Sequence, residues 1–163
     1  MLTLLLALTA AAEPPKLRQG LEPLGFLVGH CWRGTLPKTG EKDTHCFESM
    51  YDGQHVRERH EVTGGKQVYK GETVFSWDGT AKTATFTYWN SLGGVSRGTM
   101  QPQGDVLKFG DEAYTDPQGR RITFNTTWRR IGADAYESIT VSPEMPSMNK
   151  TIRYVRLKAR KGR

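Results

Sequence analysis

The chain has 163 residues, 36% of them hydrophobic and 25% charged, with two cysteines and a formal net charge of +6. That length suits one domain with a substantial core, and beyond the first twelve residues no stretch approaches the eighteen or so apolar residues of a spanning helix, so no membrane insertion of the mature chain is expected. The basic balance excludes little: Lys158, Arg160, Lys161 and Arg163 crowd the last six residues, and without them 19 basic residues face 17 acidic ones. The "KARKGR" end also lacks the interleaved aromatics of a nucleic-acid site, so no nucleic-acid partner is expected.

In chain order, "MLTLLLALTAAA" is an apolar run ending in small residues, which predicts a secretory signal over residues 1–12 and a periplasmic or secreted mature protein. A buried helix is the competing assignment. Residues 13–25 form an N-terminal segment, where "KLRQGLEPLGFL" predicts a turn of helix over one end of the fold. Residues 26–157 change to short alternating runs rich in Thr, Val, Tyr, Phe and Trp, and residues 158–163 are the basic tail.

Nine turn signals divide residues 26–157: "PKTG", "DG", "TGG", "DGT", "LGG", "PQGD", "DPQG", "GAD" and "PEMPSMN". They predict about ten sequential strands. A flat sheet of that size leaves two open edges, so the expected fold is all-β: an antiparallel up-and-down β-barrel, with a β-sandwich as the alternative.

A four-residue loop at "PKTG" sets Leu36 opposite Glu41 and therefore Cys31 opposite Cys46, within disulfide reach. Export makes the bond chemically reasonable, and two cysteines allow one pairing. With that register, Phe26, Val28, His30, Trp32 and Gly34 share the inner face with His45, Phe47, Ser49 and Tyr51. The Asp52-Gly53 turn next sets His45 opposite His60 and Phe47 opposite Glu58. A two-residue turn at Gly64-Gly65 would then place His60 opposite Tyr69, Glu58 opposite Gly71 and Arg57 opposite Glu72.

Three histidines and a glutamate would thus face inward, an arrangement costly to bury unless each finds a partner. A hydrogen-bonded polar belt is one reading; a ligand-facing constellation with an aromatic wall is the other. The predicted ligand-binding set is His30, Trp32, His45, Phe47, Glu58, His60, Tyr69, Tyr88 and Trp89. A three-histidine zinc site with Glu58 behind it is weighed but strained by the offset of His30, so no metal ligands are assigned. No nucleophile elbow, phosphate loop or paired catalytic carboxylates stand out, and no catalytic residue is assigned.

The text "LEPLGFLVGHCWRGTLP", with "THCFESMYDGQHVRERH", "YKGET" and "YWNSLGG", resembles a family of small exported bacterial proteins of unknown function. Its opening strand and ten-strand rhythm are similar to the lipocalin-like barrels of the calycin group, including nitrobindin-type domains. That resemblance implies a small apolar or haem-like ligand in the cup. Two features depart from it: Gly29-His30-Cys31-Trp32 is one residue longer than the usual glycine-to-tryptophan spacing, and no histidine follows His60. The expected function is binding of a small, partly apolar molecule, with the cofactor unknown. A metal-assisted or acid-base enzyme and a partner-binding barrel without ligand remain the alternatives.

Overall fold

The computed structural model describes residues 16–158, so the predicted signal segment and most of the basic tail lie outside the described residues. Ten strands follow in order: β1 Cys31–Thr35, β2 Lys42–Met50, β3 His55–Thr63, β4 Tyr69–Asp78, β5 Thr83–Asn90, β6 Val95–Gln103, β7 Val106–Thr115, β8 Arg121–Arg130, β9 Ala135–Val141 and β10 Lys150–Arg156. Each pairs antiparallel with its neighbour in sequence, and β10 returns to β1 to close the barrel. Closure leaves no sheet edge, the expected solution for so many consecutive short strands.

All nine predicted breaks fall at strand connections. The opening hairpin has the expected register, with Cys31 opposite Cys46 and a disulfide between them. Asp52 and Gly53 have φ of 54° and 88°, the left-handed pair that a tight Asp-Gly turn requires. His45 then faces His60 and Phe47 faces Glu58, as the alternation predicts.

The next register differs. The β3–β4 connection spans five residues, 64 to 68, rather than two, so β4 slides by two positions. His60 faces Gly71, Glu58 faces Thr73 and Tyr69 faces Val62. Arg57 pairs with Glu48 on β2, while Glu72 faces Arg59. Because the shift is even, every side chain keeps its predicted face. Gly71 opposite His60 has a packing reason: a Cβ there would stand 2.6 Å from both His60 Nε2 and the Tyr88 ring.

One end of the barrel is closed by the segment before β1. Leu21, Leu24 and Leu27 are fully buried, and Leu17 and Val28 nearly so, in one cluster with Trp32, Val56 and Tyr136. A short 3-10 turn at Glu22–Leu24 orients them. The chain is pinned across this floor by the Arg18 N–H, which donates to the Gly53 carbonyl at 2.9 Å, and by Gly20, which lies against the face of Trp77. The other end is ringed by the five connections β1–β2, β3–β4, β5–β6, β7–β8 and β9–β10, and an interior cavity opens among them.

Candidate functional site

The cavity measures about 750 Å³ and is reached from the loop-ringed end. Its deep wall is aromatic: Phe75, Phe86, Phe109 and Trp128 meet with ring centroids 4.6 to 6.2 Å apart. Alternation on β4, β5, β7 and β8 aims these side chains inward. Such a lining suits an apolar body, and polar groups converge on it from two sides.

The first polar group spans β2, β3, β4, β5 and β10. Glu58 is 1% exposed; its Oε1 accepts from His60 Nδ1–H at 3.2 Å and lies 2.9 Å from His45 Nδ1, while its Oε2 accepts from the Thr73 hydroxyl at 2.8 Å. The His45 contact is an ion contact without hydrogen-bond alignment. On its other side, His45 Nε2–H donates to Asp43 Oδ2 at 3.0 Å, and the Tyr154 hydroxyl donates to the same oxygen at 2.7 Å. The Tyr88 hydroxyl reaches toward His60 Nε2 at 3.5 Å and is itself hydrogen-bonded to the Tyr69 hydroxyl.

Charge explains how this cluster tolerates burial. Burial pulls the His45 pKa down, but Glu58 and Asp43, one at each ring nitrogen, outweigh it and hold the imidazole up at about 10. Burial pushes the Glu58 carboxyl up, and the facing His45 and His60 overcome that, leaving it well below the usual carboxylate range. Asp43 is lowered against its own burial by His45 first and His60 after it. Burial drives the phenols the other way, with Tyr69 pushed up to about 12 and Tyr88 higher still. The cluster therefore reads as ionised carboxylates around an imidazolium, edged by neutral hydroxyl donors.

The second polar group sits on the opposite wall. Ser96, fully buried, donates its hydroxyl to Glu112 Oε1 at 2.7 Å, and the Thr126 and Thr140 hydroxyls meet at 3.3 Å beside it. Glu112 points inward because β7 carries one extra residue between Phe109 and Glu112, visible in its pairing with both β6 and β8. The bulge switches the inward positions from odd to even along the strand. Burial raises the Glu112 carboxyl above its ordinary value despite the Ser96 and Thr126 hydrogen bonds.

Of the nine predicted residues, His45, Glu58, His60, Tyr69 and Tyr88 line this cavity together. Four stand elsewhere. His30 is exposed, its ring beside the Arg156 guanidinium at 3.2 Å, because regular pairing starts only at Cys31 and Gly29, at φ 80°, breaks the alternation before it. Trp32 is buried in the floor against Phe26 and Tyr136, with its indole N–H donating to the Leu27 carbonyl at 3.3 Å. Phe47 is packed beneath Trp128, below the cavity. Trp89 is 44% exposed on the outer face, as its odd position beside Tyr88 dictates. Tyr51, also expected inside, is 75% exposed in the turn after β2.

Sequence reading overlooked Asp43, Thr73, Tyr154 and the Ser96–Glu112 pair. Asp43 carried a signal, since it precedes His45 by two positions and shares its face. Gly110 inside β7 hinted at the bulge that re-aims Glu112. No protein-family model matches the chain, and no curated protein matches it.

Proposed function

We propose that this protein is an exported, lipocalin-like barrel that holds a small, partly apolar molecule in its interior. The observation that carries this reading is the cavity of about 750 Å³, aromatic at depth and faced by two separate polar groups. A packed structural barrel would fill its interior with side chains; a space of this size matches a small-molecule site in volume and lining. The apolar end of the ligand lies against Phe75, Phe86, Phe109 and Trp128. Its polar end meets His60, Tyr69 and Tyr88 on one wall and Glu112 on the other. Export is supported by the apolar run at residues 1–12 and by the Cys31–Cys46 disulfide, a bond that persists in oxidising compartments.

The test uses an apolar fluorescent probe, anilinonaphthalene sulfonate, on the full chain in native buffer. One equivalent should bind and quench Trp128. Thr126→Trp, which fills the cavity from its wall, should abolish binding, and Trp89→Phe on the outer face should leave it unchanged. Native mass spectrometry of protein purified without denaturant should also reveal a co-purifying small molecule. Probe binding that survives Thr126→Trp, or no binding at all, removes the reading.

A further inference from the structure

We propose that Asp43, His45 and His60 form a binding site for a divalent transition-metal ion of the zinc class, with Glu58 holding both imidazoles in place. This goes beyond the apolar-ligand reading and does not depend on it. One donor atom from each of the three residues falls within a sphere where all pairs lie within 4.8 Å. Ligand atoms about 2.1 Å from a tetrahedral zinc stand roughly 3.4 Å apart. Asp43 Oδ2 and His45 Nε2 are already 3.0 Å apart, and the widest separation the set allows, 4.8 Å, has to close by roughly 1.4 Å to reach that spacing.

Three independent features point the cluster at a cation. Glu58 Oε1 lies within 3.2 Å of Nδ1 on both rings, so one carboxylate backs two imidazoles and Nε2 of each points away from it, that of His45 toward Asp43 Oδ2 and that of His60 toward the Tyr88 hydroxyl, the supporting arrangement that metal-binding histidines need. Asp43 is 5% exposed, yet its Oδ1 has no hydrogen-bond partner among the described residues, an uncompensated carboxylate oxygen that a cation would satisfy. A divalent ion bound here takes the place of the proton that His45 Nε2 donates to Asp43 Oδ2, and that proton is released as the ion binds. All four side chains border the cavity, so a bound ion has room for a further donor from that side.

Two nitrogen ligands and one carboxylate favour zinc, cobalt or copper over calcium or magnesium, which take mainly oxygen. The site also replaces the three-histidine arrangement suggested by the sequence: His30 is outside the barrel, and Asp43 stands where a third ligand is needed.

The test is titration of the chelator-stripped full chain with Zn²⁺ and with Co²⁺. One equivalent of Zn²⁺ should bind, and Co²⁺ should give visible d–d absorption of a low-coordinate nitrogen–oxygen site. In the unsubstituted protein, Zn²⁺ should shift the ring ¹⁵N resonances of His45 and His60 and leave those of His30 and His55 in place. His60→Ala and Asp43→Asn should each weaken binding by about a hundredfold or more, and Glu58→Gln by about 10- to 100-fold. His30→Ala should change nothing. Should a variant fail to fold, the ring-nitrogen shifts still decide. No stoichiometric binding, or shifts confined to His30 and His55, overturns the proposal; loss of probe binding with intact Zn²⁺ binding would strike the apolar-ligand reading alone.

Discussion

Glu58 ties three interior side chains together. It is 1% exposed and faces His45, His60 and Thr73 at once. Removing one partner of a buried ion pair strands the other, so Glu58→Gln should cost about 3–5 kcal/mol in urea denaturation of metal-free protein. Tyr136 presents the opposite case. Its ring stacks on Tyr154 with centroids 4.8 Å apart, but its buried hydroxyl has no partner among the described residues. Tyr136→Phe should therefore be neutral or stabilising by about 1 kcal/mol, and a clear loss of stability would show that the hydroxyl is bonded after all.

Glu112 gives a pH signature. Because burial raises its carboxyl, the folded state keeps a proton that the unfolded chain releases between the ordinary carboxylate pKa and the raised one. The stability tied to that proton is complete below the unfolded value and is lost as pH rises through the folded one. Glu112→Gln has no such proton to lose. Its stability relative to the parent protein should climb across this window and then level off, as urea midpoints at a series of pH values will show; a pH-independent difference contradicts the assignment.

Among the strands, the opening hairpin was the most legible part of the sequence. Paired cysteines, a Pro-Lys-Thr-Gly loop and an Asp-Gly turn each fix register locally, and together they placed Cys31, His45, Phe47, Glu58 and His60 against their observed partners. Turn residues alone could not reveal that Gly64-Gly65 sits inside a five-residue connection, but an even slip leaves each face intact. The misplacements of His30 and Tyr51 share one cause. Alternation was carried past the point where pairing stops, at His30 before β1 and at Tyr51 after β2. Glu112 was hidden for the reverse reason, because a bulge changes parity within a strand. The asymmetry extends to Asp43 and Tyr154, which meet only through the β10–β1 closure and a contact spanning 111 residues. Nothing local announces such a pair. The same hairpin carries the covalent link: the disulfide closes a loop of 15 residues, so Cys31→Ala with Cys46→Ala should lower stability by roughly 3 kcal/mol in chemical denaturation.

As a whole, the molecule is a barrel with one end sealed by its own N-terminal segment. Leu24 is fully buried there, and Leu24→Ala should cost about 2–5 kcal/mol, read from thermal or urea unfolding, because neighbouring strands cannot collapse into the gap. The seal has a geometric corollary for traffic. On the proposed reading, a guest would enter this cul-de-sac end-on and leave by the same way, past Arg120 and Lys150 at the rim. A long chain could park one terminus inside but never thread through, so a guest of the kind proposed would be short, or gripped by its tip.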